Sequence, residues 1–274
     1  MSYSFDPKTI SDTLTREVSV CELANVGVTF GSGSEGNEVL RDINLSLFAG
    51  DFVCVLGSSG CGKTTLLRVL AGYQRPTTGI VTVAGKRHTE PDPDVGVVFQ
   101  RPNLFPWLTI AKNVDFGPKM KGVSDRERQQ RVSATLEMVG LSEAANFFPY
   151  QLSGGMQQRA AIARTLAAEP AIILMDEPFG ALDALTRESL QTHLRGIWQR
   201  TGKTIFFITH DVEETLLLAT RIVVLHARPG RVVKDIVNPF AYRDHEVTPA
   251  SLRLSREFLE MRQNLVDSIR TDDI

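Results

Sequence analysis

The chain has 274 residues, of which 42% are hydrophobic and 23% are charged, and its formal net charge is −2. This composition is typical of a folded globular protein and excludes a disordered or fibrous one. The near-neutral charge gives no sign of nucleic acid as an obligate partner. The length accommodates one α/β unit with a smaller lobe. The longest apolar runs, at 171–175 and 204–209, fall well short of the roughly 18 residues that a membrane span needs.

The N-terminal part of the chain predicts a polar tail followed by an antiparallel β lobe. Residues 1–17 are polar and lack the basic and apolar stretches of a secretory signal. VSVCELANVGVTF (18–30) and VLRDINLSLFAG (39–50) alternate apolar and polar residues around the glycine-rich GSGSEG. This alternation predicts a β-hairpin, and GIVTVAG (79–85), bounded by glycines, predicts a further strand.

Continuously apolar runs alternate with helical patterns through the rest of the chain, which predicts buried parallel strands covered by helices on both faces. The runs are FVCVLG (52–57), VGVVF (95–99), AIILMD (171–176), TIFFIT (204–209) and RIVVLH (221–226). The region of about 103–168 has no comparable run, so we expect an inserted helical subdomain there.

The C-terminal end predicts a short loop and then an extension. HARPGRVV (226–233) is expected to be the loop, and residues 236–274 the extension that follows the main domain at 18–235. Its segment TPASLRLSREFLEMRQNLVDSIR predicts an amphipathic helix. The residues expected on its apolar side are Leu252, Phe258, Leu259, Val266 and Ile269.

A phosphate-binding loop follows the first apolar run. GSSGCGKT (57–64) fits the pattern G-x-x-x-x-G-K-[ST], after a strand and before the helical pattern TTLLRVLAG, as a P-loop requires. The residues expected to bind the nucleotide are Gly57, Ser58, Ser59, Gly60, Cys61, Gly62, Lys63, Thr64 and Thr65. Lys63 is expected to reach the β- and γ-phosphates, and the Thr64 hydroxyl to bind Mg²⁺. The alternative is a glycine-rich turn with a chance lysine.

Two carboxylates end the third apolar run. AIILMDEP places Asp176 and Glu177 at the carboxyl edge of the predicted sheet, where ligands bind in doubly wound folds. Asp176 suits a Mg²⁺ ligand, and Glu177 suits the group that orients the attacking water. The alternative is a solvated acidic pair at a strand end. The chain contains no N-K-x-D segment of the kind expected of a GTPase.

Six segments together resemble, in order and approximate spacing, the ATP-binding subunit of ABC transporters. They are GSSGCGKTT (57–65), VVFQ (97–100), LSGGMQQR (152–159), AIILMDEP (171–178), GALDAL (180–185) and ITHD (208–211). The resemblance covers about residues 18–235. It implies a P-loop NTPase core with a mainly parallel sheet, an antiparallel β lobe and an inserted helical subdomain. It also implies ATP and Mg²⁺ as ligands.

The resemblance also implies roles for single residues. Gln100 matches the glutamine that senses the γ-phosphate and the metal, and His210 matches the switch histidine. Phe30 matches the aromatic residue that stacks on adenine, where the family more often has tyrosine. A purely structural Phe30 remains an alternative, since a buried or half-buried aromatic needs no ligand. Asp183 of GALDAL is counted with the nucleotide-site residues.

The segment LSGGMQQR (152–159) suggests a second phosphate-binding site in addition to the P-loop. Ser153, Gly154 and Gly155 offer a hydroxyl and backbone N–H groups at a helix start, which suit a phosphate. In the family this segment closes on the nucleotide of a second copy, in a head-to-tail dimer with two shared sites. We therefore expect Ser153 and Gly155 to lie far from Lys63 within one chain.

The partners and location follow from the same resemblance. RPNLFPWLTIAKNVDFG (101–117), with Leu104, Phe105 and Trp107, is either a buried loop or an apolar groove for a helix of a membrane subunit. Importers of the nitrate, sulfonate and taurine group are the most similar. They imply a homodimer, two permease subunits and, indirectly, a solute-binding protein, at the cytoplasmic face of the cell membrane. An exporter or lipid-extraction ATPase, or a soluble ABC ATPase acting on DNA or ribosomes, remains an alternative.

Overall fold

The computed structural model of the chain describes residues 19–31, 36–241 and 249–270. The predicted tail at 1–17 and most of the glycine-rich turn at 31–36 lie outside the described residues. The ten strands in the described ranges are β1 Ser19–Phe30, β2 Asn37–Phe48, β3 Phe52–Gly57, β4 Thr78–Val83, β5 Lys86–Arg87, β6 Val95–Val98, β7 Ile172–Asp176, β8 Thr204–Ile208, β9 Arg221–His226 and β10 Arg231–Val237.

The helices in the same ranges are mostly started by a side-chain cap. They are α1 Lys63–Leu70, α2 Ile110–Met120, α3 Asp125–Met138, α4 Gly154–Ala167, α5 Ala184–Thr201, α6 Val212–Leu218, α7 Pro249–Arg253 and α8 Arg256–Arg270. The caps of α2 to α6 are Thr109, Ser124, Ser153, Asp183 and Asp211, each accepting a backbone N–H of the first turn. Such oxygens satisfy donors that the helix itself leaves unpaired.

The predicted β-hairpin is confirmed and belongs to an antiparallel sheet with the order β2-β1-β4-β5. β1 pairs with β2 on one side and with β4 on the other. Its alternation buries Cys21, Leu23, Val26 and Val28. The period of two holds within each pair, and an irregularity between Leu23 and Val26 shifts the register so that both pairs join one core with α1.

The five continuously apolar runs form the predicted parallel strands of a second sheet, with the order β10-β9-β3-β8-β7-β6. Strands β9, β3, β8, β7 and β6 are paired in parallel. Successive residues of β3 face two different hydrophobic clusters. Phe52, Cys54 and Leu56 face the larger one, which is called the main core below. Val53 and Val55 face the cluster shared with α1 and the antiparallel sheet. Both faces are therefore covered, which explains why these strands show no polar alternation.

The prediction of a loop at 226–233 is wrong, because residues 231–237 form β10. This strand pairs antiparallel with β9 at the sheet edge, and only the turn at 227–230 joins the two. An edge strand is half solvated and carries charges, here Lys234 and Asp235, so it lacks the apolar run of an inner strand. β10 also extends two residues past the expected domain boundary at 235.

The helical insertion is confirmed between β6 and β7. It contains α2, α3 and α4, and α2 and α3 pack on each other and on α4. Within the described ranges, no helix combines the length and apolar character required to span a bilayer.

The predicted C-terminal helix is divided into α7 and α8, and it completes the main core. Leu252 and Phe258 are buried as predicted, and Val266 and Ile269 pack against the core. Leu259 is 51% exposed, so its assignment to the apolar side is wrong. Leu265 is buried in its place, because α8 meets α6 and β9 along a stripe that passes one residue away from Leu259.

The neighbouring strands β3, β8 and β7 end at Gly57, Ile208 and Asp176. Parallel strands bring their carboxyl ends to one edge, so the segments that follow them meet there.

Candidate functional site

The loop between β3 and α1 adopts a backbone that only glycine takes easily. Gly60 and Gly62 have φ angles of +81° and +96°, in the region that L side chains rarely adopt. Gly62 precedes the first residue of α1, and no side chain caps this helix. The N–H groups at the start of α1 are therefore available to an anion, and the helix dipole favours negative charge there.

Lys63 lies against the same loop. Its side chain is buried, and Nζ donates to the carbonyl oxygens of Gly57 and Ser58, each at 2.8 Å. The two carbonyls hold the ammonium beside the cavity that the loop encloses. Nζ also contacts Cys61 Sγ at 3.8 Å. A buried ammonium whose partners are all neutral has a strong electrostatic preference for an anionic ligand.

The cavity above the loop has a volume of about 470 Å³. Its lining residues are Val39, Ser59, Gly60, Gly62, Lys63, Thr64, Thr65, Glu177 and His210. The structure therefore brings together six of the nine predicted loop residues, one predicted carboxylate and the predicted switch histidine. Val39 was missed by sequence reasoning. It lies in β2, whose alternating pattern carries no motif, and only the approach of β2 to Gly62 places it here.

Of the two predicted carboxylates, Asp176 is the last residue of β7 and Glu177 follows it and lines the cavity. Burial raises the pKa of the Asp176 carboxyl and nearby Glu177 raises it further, whereas Lys63 and Arg68 oppose the rise. Glu177 has a φ of +42°, which for a non-glycine residue costs on the order of 1–3 kcal/mol. Its N–H donates to the Ile208 carbonyl of β8 at 3.0 Å, and this bond holds the strained residue at the sheet edge.

Glu177 lies beside His210, and Gly180 lies between Glu177 and Gln100. Its Oε2 lies 3.4 Å from His210 Nδ1. A Cβ placed on Gly180 would be 3.1 Å from Gln100 Nε2 and 3.6 Å from Glu177 Oε2. Glu177 and His210 therefore share the cavity, whereas Gln100 approaches Glu177 from the side of Gly180 and is not among the described residues that line the cavity. Gly180 was not singled out in the sequence, although it stands in GALDAL, and any side chain there would occupy the space between Gln100 and Glu177.

Phe30 lies at the end of the hairpin that borders the loop. It is 43% exposed and pairs with Asn37 across the hairpin. Two residues further along β2, the Val39 carbonyl oxygen lies 3.2 Å from the Cβ position of Gly62. An exposed aromatic face beside the cavity can stack on a planar base.

The signature residues form a second group with the start of α5. Ser153 caps α4 by accepting the Met156 N–H, and Asp183 caps α5 by accepting the Thr186 N–H at 3.0 Å. That hydrogen bond lowers the pKa of Asp183. A Cβ on Gly154 would lie 3.7 Å from Leu182 Cδ2. None of these residues is among the described residues that line the cavity at Lys63.

A glycine-rich loop of the P-loop pattern after β3, a carboxylate pair at the end of β7, the next strand but one, and a histidine beside one carboxylate define a nucleotide hydrolase of the P-loop class. Comparison with known proteins identifies the family. Residues 40–180 match the model of the ABC transporter family. The chain is 47% identical over 232 residues to the taurine import ATP-binding protein TauB of Roseobacter denitrificans, covering 85% of this chain and 87% of that protein.

Two further similarities support the same assignment. The nitrate import ATP-binding protein NrtD of Synechocystis sp. is 49% identical over 205 residues, which are 74% of this chain and 77% of that protein. A dimeric structure of a post-hydrolysis state of the ATP-binding cassette MJ0796, bound to ADP and Pi, is 36% identical with a TM-score of 0.68. It covers 79% of this chain and 98% of that chain. The chain belongs to the ABC transporter family, as an ATP-binding subunit, and it is an ATPase.

Proposed function

We propose that this subunit couples ATP hydrolysis to the import of a small solute such as taurine, another sulfonate or nitrate. The observation that carries the proposal is the 47% identity to a taurine import subunit over 85% of this chain. The nitrate import subunit supports it at 49% identity. Because the ATPase subunit does not itself contact the cargo, the choice among these solutes rests on the relatives.

In this proposal the loop binds the ATP phosphates. The glycine backbone and the start of α1 supply N–H donors, and Lys63 exchanges its carbonyl partners for the β- and γ-phosphates. Phe30 stacks on adenine. Magnesium fits the remaining groups, because Thr64, Gln100 and Asp176 offer a hydroxyl, an amide and a carboxylate oxygen, which are the hard donors that this ion prefers.

Glu177 then orients the attacking water, and His210 and Gln100 contact the γ-phosphate side of the site. Hydrolysis of this kind depends mainly on positioning and charge stabilisation.

We expect Glu177→Gln to bind ATP and to dimerise, but to hydrolyse ATP about 10²–10⁴-fold more slowly, the range that a general base contributes. Phosphate release measures the rate and gel filtration with ATP measures the dimer. Glu137→Gln, an exposed change on α3, is the control, and wild-type turnover of Glu177→Gln removes Glu177 from this role.

The signature group completes the site of a second copy. Ser153, Gly154 and Gly155 lie outside the lining of the cavity at Lys63, so a partner's nucleotide is the phosphate that they are proposed to bind. The dimeric cassette with ADP and Pi supports a dimer as the hydrolysing state.

The segment after Gln100 is proposed to receive a helix of a permease subunit. Trp107 is 72% exposed, so a wholly buried loop is not its environment. The centre of its ring lies 5.8 Å from that of Phe105, which lies 4.6 Å from that of Phe116.

We expect Trp107→Glu to leave nucleotide binding and the melting temperature unchanged and to weaken association with the permease, measured by co-purification. Leu259→Glu, exposed on α8, is the control, and unfolding of Trp107→Glu contradicts the docking role.

The whole assembly can be tested by purifying the tagged chain from membranes. We expect two permease subunits to accompany it at the cytoplasmic face of the cell membrane. We also expect a solute-binding protein loaded with taurine, another sulfonate or nitrate to stimulate its ATPase activity in proteoliposomes. Co-purification with an exporter, or with ribosomes or DNA, would contradict the import function.

A further inference from the structure

A network of ion pairs joins the C-terminal helices to the two helices that follow Asp183 and His210. Arg253, the last residue of α7, places Nη1 2.7 Å from Glu188 Oε1 of α5 and Nε 3.6 Å from Glu213 Oε2 of α6. Arg262 of α8 donates from Nε to the other oxygen of Glu213, at 2.9 Å. One carboxylate therefore holds two arginines, one from each C-terminal helix.

The acidic partners lie close to the catalytic segments in the chain. Glu213 is three residues after His210, in the first turn of α6, and Glu188 is in the second turn of α5, after Asp183. Beneath the ion pairs, Gln191 Nε2 donates to the buried Glu214 Oε1 at 3.0 Å. The arginines therefore add a second layer of contacts across the same pair of helices.

The C-terminal helices provide a fixed support for these arginines. Phe258 and Leu265 of α8 are buried in the main core. At the far end of α8, the Ser268 carbonyl oxygen lies 2.8 Å from His226 Nε2, and its hydroxyl oxygen accepts from Lys234 Nζ at 2.6 Å. Because these contacts hold α8 at both ends and in its middle, Arg262 cannot move with Glu213 unless the whole helix is displaced.

The ion pairs themselves contribute little to stability. All four side chains are between about one third and one half exposed, and such pairs are each worth about 0–1 kcal/mol. Their geometric effect is different, since they restrict how α6 can move relative to α5. His210 directly precedes Asp211, the cap of α6, and its Nδ1 is 3.4 Å from Glu177 Oε2.

We propose that Arg253 and Arg262 are positioning residues for ATP hydrolysis, which hold the start of α6 so that His210 stays beside Glu177. This inference rests on the proposed role of His210. Neither arginine is among the residues that line the cavity in the described part of the chain, so the two should affect the rate of hydrolysis and leave nucleotide binding intact.

The test compares four variants of the full-length chain in steady-state ATPase assays. We expect Arg253→Ala/Arg262→Ala to lower kcat roughly three- to tenfold, with the KM for ATP within about twofold and the melting temperature within about 3 °C of wild type. Arg253→Lys/Arg262→Lys keeps both charges and should restore at least half of the wild-type kcat. Arg256→Ala, which removes a pair with Glu260 inside α8, is the matched control. His210→Ala is assayed in parallel.

Each outcome decides one question. A wild-type kcat in the double alanine variant, with an inactive His210→Ala, overturns the positioning role and leaves the proposed role of His210 standing. Full activity of His210→Ala overturns the role of His210 itself. A loss that appears as a higher KM, an equal loss in Arg256→Ala, or no restoration by the lysine pair also contradicts the inference. If the double alanine variant does not fold, the kcat values of Arg253→Ala, Arg262→Ala and the lysine pair are compared with that of wild type. A wild-type kcat in both single alanine variants then contradicts the inference.

Discussion

The two adjacent glycines of the signature should respond in opposite ways to the same substitution. Gly154 is exposed, and a Cβ there would lie 3.7 Å from its nearest neighbour, an ordinary contact. Gly155 is buried, and its Cβ would lie 2.5 Å from Thr186 Cγ2 of α5. That distance is too short for two carbon atoms, so either the Thr186 side chain or the packing of α4 on α5 must shift in Gly155→Ala.

The size of the difference can be worked out from these contacts. Both substitutions replace a glycine in the first turn of α4 by alanine, and the gain in helix propensity, at most about 0.8–1.0 kcal/mol, is similar in the two variants. Overpacking of a close-packed site costs about 1–3 kcal/mol and affects Gly155→Ala alone. Because the helical contribution cancels in the comparison, the two variants should differ by the overpacking energy. For a protein of this size the difference corresponds to about 2–12 °C in melting temperature.

Thermal unfolding followed by circular dichroism measures both variants, and a third variant tests the cause. Thr186→Ser removes the methyl group that the new Cβ meets, so it should restore most of the lost stability in the Gly155→Ala background. ATPase assays on Gly154→Ala then report on the shared site without a packing defect. Equal melting temperatures for Gly154→Ala and Gly155→Ala, or no recovery with Thr186→Ser, would refute the packing explanation.

Two further predictions concern buried groups. The raised pKa of Asp176 means that the folded protein binds its proton more tightly than the unfolded chain, so stability is lost as the pH rises through the interval between the two pKa values. Asp176→Asn should therefore raise the melting temperature without nucleotide at about pH 7.5, by an amount that shrinks towards about pH 4, while ATPase activity is lost. A gain that is independent of pH would mean that ionisation is not its cause. Phe258→Ala should reduce the free energy of unfolding by about 3–5 kcal/mol, because this ring is buried against Phe240 at 5.4 Å. Leu259→Ala, its exposed neighbour, should change it by less than about 0.5 kcal/mol, and equal effects of the two would contradict the packing of α8.

Sequence reasoning succeeded where the physical signal is local. The parallel strands were predicted because strands buried on both faces must be apolar at every position. The phosphate loop was predicted because its glycines, lysine and threonine act through their spacing along the backbone. The burial expected for Leu259 and the loop expected where β10 lies were both wrong, and for the same reason. The side of α8 that is buried depends on where α6 and β9 lie, and an edge strand is defined by a neighbour on one side only.

The sequence by itself determined the class of chemistry and the family, since the residues that carry them occur in short contiguous motifs whose order does not depend on packing. The tertiary structure decided which of these residues share a cavity. It placed His210 beside Glu177, with Gln100 on the far side of Gly180. It also assigned Gly155 to packing, left Gly154 exposed, and connected Arg253 and Arg262 to Glu213. These are relations between surfaces distant in the chain, and they arise only when the helices and strands have packed.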